Sequence, residues 1–241
     1  MEINELQQDL AAVFRWTAKL DMNEGIANHF SVCLPNSNDF YVNGSGLHFS
    51  SIKASDMVLV KQNKIDKIKK NPEIVDPTAI NIHGTIHRKV PHARCILHVH
   101  SKYATALSTF KNPVLPPIDQ NTMRFYNRIA IYNDFGGLGF EEESNKMATA
   151  IGNNKSMLLA NHGILTVGQT IAEAFDELYY FEKACETYIT ALSTNQELNK
   201  VDPEIAEKTA QEWENYPVNM GEQHLSEIKK ILDKEDPSYK L

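Results

Sequence analysis

The 241-residue chain lacks any apolar run approaching the ~20 residues that span a membrane, so no membrane-crossing helix is expected. Cysteine is scarce: Cys33, Cys95 and Cys185 are far apart and form no Cys-x-x-Cys pair, which fits a reducing compartment and argues against a disulfide framework. Cys95, inside Arg94-Cys95-Ile96-Leu97, reads as a buried structural thiol. Gly (11) and Pro (10) are not enriched, which excludes fibrous and disordered classes. Positive charge is also short. A net charge of -7 argues against nucleic acid or an anionic membrane as a partner, because both need clustered Lys and Arg. The one basic run, Lys61 to Lys70, is broken by Gln62, Asn63 and Asp66 and reads as a solvated loop. Met1-Glu2-Ile3-Asn4-Glu5 has no apolar signal-peptide core, so a cytoplasmic protein is expected. What remains is ordinary globular composition, 42% hydrophobic and 23% charged, sufficient for one α/β domain over residues 1–241.

Leu6, Leu10, Val13, Phe14 and Ala18 recur at helical spacing and predict an amphipathic helix over residues 4–20. Short strands are expected at Phe30–Leu34, Phe40–Val42, Met57–Val60, Cys95–His100, Ile129–Tyr132, Ser156–Leu159 and Gly163–Val167. Asp76-Pro77 opens a helix, since Asp is a favoured cap and Pro a favoured first residue. Tyr103 to Phe110 also reads as helical. Thr170 with Glu173 reads as a capping box starting a long helix. Residues 197–241 read as a polar helical tail that packs on the domain or on a neighbouring subunit. Short strands mixed with helices on one core define an α/β fold.

His98-Val99-His100 stands at the end of an apolar strand. Residues i and i+2 of a strand face one side, so both imidazoles project together while Val99 points to the opposite layer. His162, in Asn161-His162-Gly163 after another strand, supplies a third imidazole. Three histidines leave a coordination position open on a divalent ion, as in catalytic metal sites. The plainer alternatives are exposed edge histidines and a structural His162.

The stretch Ile82-His83-x-x-Ile86-His87-x-x-x-Pro91 through Ile96-Leu97-His98-Val99-His100-Ser101 resembles the class II aldolase/adducin family. So do Ala160-Asn161-His162-Gly163-Ile164-Leu165-Thr166-Val167-Gly168 and Ala172-Glu173-Ala174-Phe175, and the similarity covers roughly residues 5–195. The resemblance implies a three-layer α/β/α sandwich around a largely antiparallel sheet. It implies one divalent ion per subunit on His98, His100 and His162, with zinc first and iron, manganese, cobalt or nickel as alternatives. It also implies a homotetramer with active sites between subunits.

The departures matter as much. Family aldolases carry a glutamate four residues before the position matching His83, as ligand and base; here it is Ala79, which can do neither. The family's Gly-Asn at the anion site becomes Asn28-His29, while Ser45, Gly46 and Thr78 match anion-contacting positions. A small anionic substrate is expected, carboxylate ahead of phosphate, with His29 and His83 in the pocket lining. The 119–128 segment resembles the adducin-like bacterial branch. There Gln120 and Tyr126 are candidates for proton transfer and Arg128 for clamping a carboxylate. The expected activity is a metal-dependent lyase: aldol-type cleavage, decarboxylation or elimination. The alternatives are a three-His iron oxygenase and a non-catalytic module like the adducin head.

Overall fold

The computed structural model describes residues 3–134, 136–138 and 140–241. In chain order the elements are α1 (Ile3–Lys19), β1 (His29–Cys33), β2 (Phe40–Asn43), β3 (Met57–Val60), α2 (Ile65–Ile68), α3 (Pro77–Lys89), β4 (Cys95–Val99) and α4 (Lys102–Ser108). They continue with α5 (Gln120–Arg124), β5 (Ile129–Tyr132), α6 (Glu141–Ala150), β6 (Ser156–Leu159), β7 (Gly163–Gly168), α7 (Ile171–Ser193), α8 (Pro203–Glu214) and α9 (Met220–Glu235). The strands form one sheet in the order β3-β2-β1-β4-β7-β6-β5. Among the described residues, only β5 and β6 pair in parallel; the other ladders are antiparallel.

Strand alternation sorts side chains into two layers. Phe30, Val32, Cys95, Leu97, Val99, Leu158 and Ile164 pack with α1, α7 and α9 on one face. Ile96, Met157, Leu159, Leu165 and Val167 pack on the other face, against Ile82 and Ile86 of α3 and Met147 and Ala148 of α6. The result is the expected three-layer α/β/α arrangement. It places His29, Ser31 and His98 on the α3 side of the sheet, because each alternates with a residue of the α1–α7 side. No helix among the described residues is long and apolar enough to cross a membrane.

Local chemistry explains the element ends. Leu6, Leu10, Val13 and Phe14 are buried along one stripe of α1, and Phe14 stacks on Phe30 at 4.7 Å. Asp76 caps α3 by accepting from the Thr78 amide at 2.7 Å, with Pro77 next in line. Thr170 caps α7, accepting from Glu173 N at 3.1 Å. The expected reciprocal half is displaced by one residue: the Glu173 carboxylate accepts from Gln169 N at 2.6 Å.

Three short helices were not apparent from periodicity. The basic run forms a 3-10 turn and then α2, because Ile65 and Ile68 pack against the small cluster around Phe40 and Val60. Asp119 and Thr122 cap each other to start α5. Met147 and Ala148 seat α6 on the sheet. In the tail, Leu225, Ile228 and Leu232 of α9 are buried against α7 and α1 of the same chain, and α8 lies on α5.

Candidate metal centre

His98 sits near the end of β4, His100 one residue past it, and His162 in the hairpin loop between β6 and β7. The loop is tight. Asn161 takes a left-handed conformation (φ 56), which Asn tolerates better than most residues. Gly163 lets the chain pass close to His100: a Cβ there would meet the Val99 carbonyl oxygen at 2.5 Å and His100 Cδ2 at 3.1 Å. The three rings form a near-equilateral triangle, with centroids 5.0 Å (His98–His100), 4.8 Å (His98–His162) and 4.8 Å (His100–His162) apart. A nitrogen from each ring lies within 4.8 Å of the other two.

Hydrogen bonds fix which nitrogens converge. His98 Nδ1 donates to the Ile164 carbonyl at 2.9 Å. His100 Nδ1 donates to the Glu24 carboxylate at 2.5 Å. A carbonyl and a carboxylate only accept, so both rings carry a proton on Nδ1 and, when neutral, present a lone pair at Nε2. Those two Nε2 atoms are 3.2 Å apart. With neither able to donate in the neutral ring, the pair faces lone pair to lone pair, an arrangement that a cation between them relieves. The spacing suits neighbouring ligands on an ion bound at ~2.0–2.1 Å. Burial and the adjacent imidazoles push the pKa of His98 well below its ordinary value, and burial takes His162 down to about 4. The neutral, ligating form is therefore the favoured one.

The support behind the triad includes Glu24 and Glu182, which sequence reasoning missed. Glu24 is exposed in the α1–β1 loop, flanked by left-handed Asp21 (φ 55) and Gly25 (φ 52). Asn28 holds this loop, its Oδ1 accepting from Glu24 N at 2.6 Å. Glu182 of α7 is buried and accepts from Ser101 Oγ (2.6 Å), Tyr103 N (2.8 Å) and Ala104 N (2.9 Å), anchoring the turn that follows His100. A sequence signal existed only for Ser101, a cap-type residue at a helix start.

A small cavity is lined by residues 26–29, 43–46, Asp76 and Ala79, and its His29 ring lies 5.0 Å from that of His98. Asn28, His29, Ser45 and Gly46 are thus together as expected, but two of the expected pocket residues are elsewhere. Thr78 donates its hydroxyl to Asp76 at 2.6 Å, because the N-cap of α3 claims it. His83 is buried behind His29, since its face of α3 packs on the sheet; it bonds His29 and Ser31 and does not line the cavity. The lining has no Lys or Arg and does contain the Asp76 carboxylate, so the expected anion subsite is not matched by positive charge there. The Ser45 amide is also used, donating to the Ile74 carbonyl at 3.0 Å.

The 119–128 candidates lie apart from the triad in this chain. Gln120 is the exposed first residue of α5, and Tyr126 is half-buried just beyond it. Among the described residues, no hydrogen bond, ion pair or ring contact joins either to the imidazoles. Arg128 corrects the expectation of a carboxylate clamp. Its guanidinium is engaged by Glu207 (2.9 Å) and Glu214 (2.9 Å) of α8, so it binds the tail. Those carboxylates raise its pKa, and the guanidinium, bonded to Glu207, in turn holds that carboxyl down at about 2.

The fold belongs to a known class. Residues 8–189 match the Class II Aldolase and Adducin N-terminal domain, and the chain belongs to that family. It is 30% identical over 236 residues to a "Putative aldolase class 2 protein" of Caulobacter vibrioides, covering 96% of this chain and 90% of the relative. The solved L-fuculose 1-phosphate aldolase of Glaciozyma antarctica superposes with a TM-score of 0.82 at 29% identity, covering 96% and 91% of the two chains. Decarboxylase NovR of Streptomyces niveus is 27% identical over 216 residues, covering 86% and 77%.

Proposed function

We propose that the protein is a metal-dependent lyase acting on a small oxygenated substrate by aldol-type cleavage, decarboxylation or elimination. The observation that carries this reading is the pair of Nε2 lone pairs 3.2 Å apart, each fixed by an acceptor on the far side of its ring. His98, His100 and His162 would hold one divalent ion, zinc first. When bound, the ion would polarise a substrate carbonyl or carboxylate oxygen. Around it, this chain orients His100 through Glu24. A carboxylate on the substrate would meet its counter-charge at the triad, because the cavity offers none.

The aldolase and decarboxylase relatives support cleavage of a bond beside a carbonyl. Ala79 argues against an ordinary sugar-phosphate aldolase, since a general base contributes ~10²–10⁴-fold. By family likeness the working form is a cytoplasmic homotetramer, which light scattering checks; a neighbouring subunit would then be the source of further side chains.

The test is elemental analysis of protein purified without added metal, followed by a screen of small hydroxy and keto acids. About one zinc per chain with cleavage of such an acid supports the lyase. Iron with oxygen consumption would replace it by the oxygenase reading. No metal, even after incubation with zinc, would leave a binding module. Robust cleavage of sugar phosphates would overturn the reading of Ala79.

A further inference from the structure

Beneath the triad, β1 and α3 bring together three more buried histidines and a serine. His87 Nδ1 lies 2.6 Å from the Ala93 carbonyl oxygen. A carbonyl cannot donate, so the proton is on Nδ1 and Nε2 of this neutral ring is a lone pair. Ser31 Oγ, 2.7 Å from that Nε2, must give it its single proton. Ser31 Oγ then accepts from His83 Nδ1 at 2.5 Å. That leaves His83 Nε2 as a lone pair, which takes the proton of His29 Nδ1 at 2.7 Å. The rings stay neutral because His83, His87 and His29 are 0%, 2% and 3% exposed. One backbone carbonyl thus dictates the tautomer of three imidazoles in series. The series ends on His29 Nε2, a bare acceptor in a ring that lines the cavity and lies 5.0 Å from His98.

We propose that His29 Nε2 accepts a hydrogen bond from a substrate hydroxyl, with Ser31, His83 and His87 as positioning residues that hold its tautomer. This rests on the reading of the triad as the metal centre. The substrate class it selects carries a hydroxyl next to the oxygen that reaches the triad, as in a 2-hydroxy acid or a hydroxyketone. The rest of the cavity fits such a group. Among the described residues, Asn28 Nδ2, in the same lining, is a buried donor with no partner. A hydroxyl can donate to His29, whereas an ether, a carboxylate or a phosphate dianion has no proton for it. The Asp76 carboxylate, with no Lys or Arg in the lining, further disfavours an anion at this end.

The first test reads the tautomers directly. Long-range ¹H–¹⁵N correlation on histidine-labelled protein at neutral pH should show His29, His83 and His87 with the proton on Nδ1. Ser31→Ala should release His29 toward the Nε2–H form that free imidazole prefers and leave the His98 pattern unchanged. A His29 protonated on Nε2 in the parent protein overturns the proposal.

The second test uses cobalt(II)-loaded protein and its visible spectrum, titrated with glycolate and with methoxyacetate, which lacks the hydroxyl proton. Glycolate should bind at least about 10-fold more tightly. The preference should vanish in His29→Phe and in His29→Leu, neither of which offers an acceptor, the second variant guarding against misfolding of the first. Equal binding of the two acids by the parent protein overturns the proposal while the triad stands. So does a preference that survives in both variants, because it then reflects only the methyl group's size. Failure to load cobalt at all removes the triad reading and this proposal with it, even if the tautomers are as expected.

Discussion

Two groups of three imidazoles adjoin in this protein, and they are built to opposite ends. In His98, His100 and His162 the rings lean together, and two of them send their protons outward, to Ile164 and Glu24, so that lone pairs meet in the middle. In His29, His83 and His87 each lone pair but the last is consumed by the next donor in a line. Residue type is the same in both. What separates a cation site from a structural chain is where each Nδ1 proton is sent, and that is decided by acceptors elsewhere in the fold: two backbone carbonyls and one loop carboxylate.

The difference breaks most visibly on removing a ring. His98→Ala should take bound metal from about one per chain to near none by mass spectrometry, because the two remaining imidazoles cannot hold an open three-ligand site. The chain should still fold, since the ligand acts on an open centre and the core clusters are intact. Undiminished metal in this variant would mean that the ion sits elsewhere.

Acid acts on the second group as it does on the buried His98 and His162 of the first. His87 has its pKa lowered to about 3 by burial, and His83 is lowered well below its ordinary value for the same reason. An unfolded histidine titrates near 6.5, so below that the unfolded chain binds protons that the folded chain refuses. Stability is then complete above pH 6.5 and falls as pH drops toward 3, by about 1.4 kcal/mol per pH unit for each such ring. Urea midpoints of metal-free protein should fall markedly between pH 7 and pH 5. Equal midpoints would show that the chain is not held neutral.

Much of this was legible in the sequence, and the boundary is physical. Strand alternation placed His98 and His100 on one side and Val99 on the other, as the packing of Val99 beside α7 requires. The order and extent of most elements followed from apolar period, and Thr170 and Asp76 marked helix starts as cap chemistry dictates. Hydrogen-bond partners across long separations were not legible. Glu24 is an exposed loop residue 76 positions from His100, with nothing in its neighbours to mark it. His29 and His83 are 54 apart, and only the packing of α3 on β1 shows that one backs the other. Arg128 looked like a carboxylate clamp because its partners, Glu207 and Glu214, lie in a tail whose docking the motif could not reveal.

The outward acceptors can be removed one at a time. Glu24→Ala strips the carboxylate from His100, and losing such a partner should weaken metal affinity ~10–100-fold in a chelator competition. Metal-free stability should hardly move, because Glu24 is an exposed side chain. Ser31→Ala should do the reverse. It leaves His87 Nε2 and His83 Nδ1 buried without a partner, costing about 1–3 kcal/mol in urea, with metal content unchanged.

The smallest effect is the most discriminating: the coupling between these two changes. In metal-saturated protein the loss of affinity in Glu24→Ala appears as lost stability, about 1.4–2.7 kcal/mol for 10–100-fold at fixed free metal. Ser31→Ala contributes its own cost through the line of histidines. The groups touch, since the His29 and His98 rings are 5.0 Å apart, so independence is not guaranteed by distance. It should follow instead from hydrogen-bond polarity. His98 is held by Ile164, not by His29, so a change of tautomer along the line has no proton to pass into the triad. The double variant should therefore equal the sum of the singles within ~0.5 kcal/mol. A coupling well above that would show that the two groups share a proton, and that the triad and the chain beneath it are a single titrating unit.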